Sequence, residues 1–195
     1  MTERRPLAQQ PLFVSGNAGK AREVAAILGF TLERLEADVP EIQTLDVAEV
    51  VREKAQAAYA LAGRPVLVED TGLYLAALNG LPGALVKWFV STVGPAGICA
   101  MLPPGAPRAA IARTAVALHD GDDVLVLTGE VPGQITLAPR GEHGFGWDPI
   151  FLPDGAPGTF AEMAQAEKNR YSMRRLALEQ LRERLLLAEP DDNRG

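Results

Sequence analysis

The sequence predicts an α/β domain with a mixed sheet, and three observations carry that expectation. Leu12-Phe13-Val14 runs into Ser15-Gly16-Asn17-Ala18-Gly19 and then a helical pattern, which is the order strand, glycine-rich turn, helix. A second helical stripe is followed by the apolar strand Val66-Leu67-Val68. Two longer β-type stretches, Ala109–Leu118 and Asp123–Leu137, are separated by Asp120-Gly121 and belong to an antiparallel or mixed part of the sheet. With 195 residues, 47% of them hydrophobic, the chain suffices for one domain or two closely packed lobes and is too apolar to be disordered.

Each element has its own signal. The first helix is expected from about Lys20, with Val24, Ile27 and Leu28 on one face and Gly29 as its stop. Asp46 followed three residues on by Glu49 predicts a capping box opening the second helix. Val47, Val50, Val51, Ala55, Ala58 and Leu61 form its stripe, and Gly63 ends it. The strand Val66–Val68 is read as ending in Glu69-Asp70-Thr71-Gly72. Gly80-Leu81-Pro82-Gly83 makes a loop before an amphipathic stretch at Lys87-Trp88-Phe89-Val90, and a short helix over 97–102 stops at Pro103-Pro104. Pro132-Gly133 interrupts the last long β stretch, and Gly141–Pro149 reads as a glycine-rich aromatic loop. Ser172 is the expected cap of a final helix carrying Leu176, Leu181 and Leu185. Residues 1–188 are expected to form the domain and 189–195 a disordered tail.

Composition excludes several function classes. Nineteen Lys and Arg against 25 Asp and Glu give a net charge of −6, which disfavours gripping a nucleic acid by its phosphates but allows a small anion in a local basic pocket. Cys99 stands alone, so neither an intrachain disulfide nor a cysteine-rich zinc site is available, and a reducing compartment fits. Met1 to Pro11 has no apolar core of signal-peptide length, and prolines and glycines break the uncharged run between Lys87 and Arg108. The expectation is a soluble, cytoplasmic protein with no membrane partner.

Four constellations are candidates for chemistry. Ser15-Gly16-Asn17 with Lys20 and Glu23 would aim backbone N–H groups and an ammonium at one spot at a helix start, which suits a phosphate. It is not a Walker A loop, and the competing reading is a plain strand–helix turn. Glu69-Asp70 offers hard oxygens for Mg²⁺, and strand alternation lets only one of the two face a given cleft. Phe145-Gly146-Trp147-Asp148 could stack on and read a purine, or its aromatics could simply close the core. Lys168 with Ser172-Met173-Arg174-Arg175 places cations at the last helix, for a base or for water. His119 and His143 offer no metal pair, and Cys99 reads as a small core residue.

Taken together and in this order, Val66–Leu73, Gly80–Gly83 with Lys87-Trp88-Phe89, Gly144–Phe151, Thr159–Met163 and Glu167-Lys168-Asn169 resemble the inosine triphosphate pyrophosphatase family, from about Leu12 to Leu181. The resemblance implies a long, strongly bent mixed sheet flanked by helices, two lobes with a cleft between them, and a homodimer. It implies Mg²⁺-dependent hydrolysis of ITP, dITP and XTP to the monophosphate and pyrophosphate. By position it implies that Ser15, Gly16, Asn17, Lys20 and Lys54 hold the triphosphate. Glu41 and Asp70 would bind the metal, Asp70 also accepting the proton, with Thr71 beside it. Lys87 would touch substrate. Phe145, Gly146, Trp147, Asp148 and Lys168 would contact the base. In place of the family's Ser-His-Arg this chain has Ser172-Met173-Arg174, so a donor toward the base is missing while Arg174 remains. Two rival readings are a pyrophosphatase for other modified nucleotides and a nucleotide-binding module without turnover.

Overall fold

The computed structural model describes residues 10–37 and 39–186, with side chains as far as Glu183. The predicted tail lies outside the described residues. The chain enters as β1 (Leu12–Val14) and α1 (Ala18–Leu28), then β2 (Arg34–Leu35), α2 (Val47–Ala62) and β3 (Val66–Leu75). It continues through β4 (Pro82–Gly83), α3 (Val86–Thr92), α4 (Gly94–Met101), β5 (Ala109–His119) and β6 (Val124–Ile135). β7 (Phe151–Pro153), α5 (Gln165–Lys168) and α6 (Met173–Leu186) complete it.

The strands form one seven-stranded sheet in the order β2-β1-β3-β5-β6-β7, with β4 paired to β3. β2, β1 and β3 are parallel, as a strand–helix–strand chain requires, and the remaining pairs are antiparallel. The sheet is therefore mixed, as predicted. Helices cover both faces. α2 packs Val47, Val51, Ala55 and Ala58 on Val66, Val68, Ala115 and Ala117. α1 and α6 bury Val24, Ala177, Leu178 and Leu181 against Phe13, Leu67, Val116 and Leu118. A third cluster, at the other end of β3, gathers Leu73, Ile98, Trp147, Phe151, Phe160, Met163 and Met173. None of the described helices is long and apolar enough to cross a membrane.

Several expectations change in detail. β3 does not stop at Glu69-Asp70 but runs to Leu75, because β5 pairs with it along its whole length, from Val66↔His119 to Leu75↔Ala110. The partnership with β1 reaches only Leu67, so the two acids stand just beyond the point where that neighbour ends. Pro132-Gly133 does not interrupt β6. Gly133 instead lets β7 cross closely, since a Cβ there would lie 2.4 Å from the Leu152 carbonyl oxygen. The predicted helix at 97–102 begins earlier, at Gly94, with Pro95 in the first turn where proline is tolerated. Asp46 does cap α2, accepting from the Ala48 N–H at 2.9 Å. The reciprocal half of the capping box is absent: Glu49 accepts from the Thr44 hydroxyl at 2.7 Å, and that hydroxyl takes the Asp46 N–H.

Candidate functional site

The turn between β1 and α1 is built by its own side chains. Ser15 Oγ accepts from the Asn17 N–H at 3.1 Å. Asn17 Oδ1 caps α1 by accepting from the N–H groups of Gly19 and Lys20 at 2.8 and 3.2 Å. That cap fixes where Lys20 leaves the helix, and its ammonium lies 2.7 Å from Glu69 Oε1 and 3.0 Å from Asp70 Oδ1.

Strand alternation then separates the two acids. Asp70 shares the α2 face with Val68 and Gly72; a Cβ on Gly72 would lie 2.9 Å from Val47 of α2. Its Oδ1 also accepts from the Thr71 N–H at 2.8 Å, and its side chain is 16% exposed. Glu69 points to the α6 side, where Arg174 Nε donates to its Oε2 at 3.0 Å, and it is 1% exposed. Asp70 is thus the acid within reach of a ligand, and Glu69 is a buried ion-pair member.

The buried pairing continues from Arg174. Its guanidinium also donates to Glu23 Oε2 on α1. Glu23 Oε1 accepts from Lys168 Nζ at 2.7 Å, and Lys168 Nζ reaches Asp148 Oδ2 at 2.7 Å. Asp148 Oδ2 closes the chain by accepting from the Phe145 N–H at 2.8 Å. Asp70, Lys20, Glu69, Arg174, Glu23, Lys168 and Asp148 form one string of alternating charge. Burial alone would push the Glu69 carboxyl up, but Arg174 and Lys20 outweigh it and hold it down to about 2. Burial opposes the Lys20 charge, and Asp70 and Glu69 raise it above the usual lysine range regardless. Asp148 goes the other way, pushed up by burial in spite of Lys168.

A second group lies on the α2 side. Lys54 Nζ on α2 meets Glu41 Oε1 at 2.6 Å. The segment carrying Glu41 is tied to β3 by Tyr74, whose hydroxyl donates to the Leu45 carbonyl at 2.8 Å and accepts the Val47 N–H at 3.2 Å.

The sequence-predicted residues divide accordingly. Lys20, Asp70, Asp148, Lys168 and Arg174 join one network, with Ser15 and Asn17 setting its entrance. Phe145 lies over the cations, its ring centre 5.0 Å from Lys168 Nζ and 6.0 Å from the Arg174 guanidinium carbon. Gly146 is exposed beside it. Trp147 is buried against Phe151 and Phe160, and Met173 is buried in the same cluster, so both serve the core in this structure. Lys87 is exposed on α3. Glu23, given no role from sequence, links Arg174 to Lys168. Its signal was weak: an acid one turn after Lys20 on a helix otherwise reads as solvated. Among the described residues no group of three or more His, Cys, Asp or Glu side chains is placed to hold a metal.

The fold and this site define an α/β protein whose helix-start turn, acidic central strand and aromatic loop meet through buried ion pairs. The Ham1 family model matches residues 12–184, and the chain belongs to that family. It is 48% identical over 169 residues to Inosine triphosphate pyrophosphatase 1 of Trypanosoma cruzi, covering 85% of this chain and 86% of that one. It is 40% identical to the dITP/XTP pyrophosphatase of Methanopyrus kandleri, covering 88% and 94%. Among solved structures, a HAM1 protein from Coxiella burnetii superposes with a TM-score of 0.79 at 30% identity, covering 91% of this chain and 99% of that one.

Proposed function

We propose that this chain hydrolyses deaminated purine nucleoside triphosphates (ITP, dITP and XTP) to the monophosphate and pyrophosphate. The observation that carries this reading is the continuous ion-paired string from Asp70 and Lys20 to Lys168 and Asp148, which joins the turn between β1 and α1 to the aromatic loop. The names of the T. cruzi and M. kandleri relatives support the same activity.

The ligand-free site is neutralised internally. Lys20 is held by Glu69 and Asp70, and Lys54 by Glu41. A triphosphate with a divalent cation can exchange partners without leaving any charge bare: phosphate oxygens take the lysines, and the carboxylates of Glu41 and Asp70 are left for the metal. These are hard oxygen donors suited to Mg²⁺. Bound there, Mg²⁺ would supply charge stabilisation at the phosphates.

Lys20 and Lys54 draw the triphosphate and offset charge developing on the leaving pyrophosphate. Asp70 orients a water and takes its proton as the water oxygen bonds to the α-phosphorus and the bond to the pyrophosphate oxygen breaks. Phe145 packs against the base. Lys168 and Arg174 are donors for a 6-oxo group and leave a 6-amino group unmatched. Met173 supplies no donor, so discrimination rests on those two cations. A homodimer in the cytoplasm belongs to this reading, and light scattering on the purified protein tests the dimer.

The test is pyrophosphate release from ITP, dITP, XTP, GTP and ATP, with Mg²⁺ and with chelator. Mg²⁺-dependent release favouring the deaminated purines is expected. Asp70→Asn is expected to lose most turnover with its unfolding curve intact. Near wild-type turnover by that variant refutes the role of Asp70.

A further inference from the structure

Glu69 occupies the centre of the ion string, and its two oxygens serve opposite ends. Oε2 receives a directed hydrogen bond from Arg174 Nε at 3.0 Å. Oε1 lies 2.7 Å from Lys20 Nζ, a short charge-assisted contact. Both links are short, so the one carboxylate is shared between the guanidinium and the ammonium. Lys20 is meanwhile shared, donating to Asp70 Oδ1 at 3.0 Å. In this state the acid nearest the reacting phosphate is occupied by a lysine.

We infer that Glu69 is a positioning residue that reports occupancy of the base end to Asp70, so that the correct base raises turnover as well as affinity. This rests on the activity proposed above. A 6-oxo group accepting from Arg174 competes with Glu69 for that guanidinium, which is otherwise committed to Glu69 and Glu23. The Glu69 carboxylate, less neutralised on that side, draws Lys20 more strongly. Lys20 then shifts from Asp70 to Glu69 and phosphate, and Asp70 is released to orient water. A 6-amino group cannot accept from Arg174, so Glu69 stays neutralised by the guanidinium, and phosphate alone draws Lys20 from Asp70, less completely. The network is suited to such a switch because its members are buried and paired one to the next: moving one partner obliges its neighbour to re-pair or to stand as an uncompensated charge.

The experiment compares kcat and KM for ITP and ATP in the wild type and in Glu69→Gln, with thermal unfolding of both. In the wild type, preference for ITP is expected in kcat. Glutamine keeps the size of the side chain and an acceptor for Arg174 but cannot draw Lys20 by charge. The ratio of kcat for ITP to kcat for ATP is therefore expected to fall roughly tenfold or more, with KM for ITP changing much less. A purely structural role lowers both kcat values in parallel with stability, and that result overturns the inference. So does a wild-type preference that lies wholly in KM, for which no variant is needed. If Glu69→Gln does not fold, Arg174→Lys cuts the same link from the other side; a folded Arg174→Lys protein that keeps the wild-type kcat ratio also overturns it. Absence of pyrophosphate release from every purine triphosphate by the wild type is a different outcome, and it removes the proposed activity itself.

Discussion

The tightest contact between sheet and site lies at Gly129. It sits on β6 opposite Thr114 of β5, beneath the first turn of α6. A Cβ there would lie 2.1 Å from the Met173 carbonyl oxygen and 2.8 Å from both the Ala177 nitrogen and the Leu176 Cβ. Gly129→Ala therefore requires α6 to lift by roughly 1 Å to restore ordinary contact distances. Overpacking of this kind costs about 1–3 kcal/mol, which for a chain of this size lowers Tm by about 2–12 °C. The functional effect is the larger one. Arg174 follows Met173 in the same turn and donates to both Glu69 and Glu23, so the lift moves the guanidinium off two carboxylates at once. Misplacement by roughly 1 Å costs about a hundredfold in rate. The assay is Tm by circular dichroism alongside the kcat for pyrophosphate release from ITP at a temperature where the variant is folded. A Tm within about 1 °C of wild type together with unchanged kcat would refute the reasoning, for it would mean α6 is not fixed by this contact.

Other perturbations read out different parts of the site. Gly19→Ala puts a methyl 3.0 Å from both Asn17 Oδ1 and Phe145 Cδ1; Asn17 and the aromatic ring must each yield slightly, so KM for ITP is expected to change a few-fold while the unfolding curve barely moves. An unchanged KM would detach Phe145 from the ligand. The Glu69 carboxyl, held at about 2 in the folded state against an ordinary 4.5, stabilises the protein above pH 4.5 and withdraws that support as pH falls toward 2. Asp148, pushed up by burial, acts in the opposite sense over acid pH. Wild-type Tm is therefore expected to fall more steeply across that window than the Tm of Glu69→Gln, and parallel curves would contradict the assignment.

What the sequence made legible, and what it did not, follows from the range of the interactions involved. Local signals placed β1, the cap at Asp46 and the hairpin at Asp120-Gly121, because each depends on residues a few positions apart; the cap at Asn17, which starts α1 at Ala18 and not at Lys20, was read only as a turn. The continuation of β3 past Asp70 was hidden, since its partner β5 lies some forty residues downstream and no local feature marks it. The short strands β2, β4 and β7 have too few residues to show a period. Within the site, Lys20, Asp70, Asp148, Lys168 and Arg174 were found as separate candidates, and only the structure joins them. Glu23 was named beside Lys20, but its pairing with Lys168 and Arg174 was hidden because it depends on α6 crossing α1. The aromatic loop was read as facing either a base or the core, and Trp147 packs with Phe151, Phe160, Met163 and Met173 in the core.

The separation in sequence of the paired charges has a consequence for assembly. Glu23 pairs with Lys168 and Arg174 across 145 and 151 residues, and Glu69 pairs with Arg174 across 105. Closing such distant contacts is slow compared with forming the β5–β6 hairpin or the α2 packing. Until α6 docks, Glu23 and Glu69 keep their hydration, because sealing them away without Arg174 would strand two negative charges in a low-dielectric interior. α6 thus acts as the final counter-ion of α1, and the site cannot be completed by a protein whose α6 segment has yet to arrive.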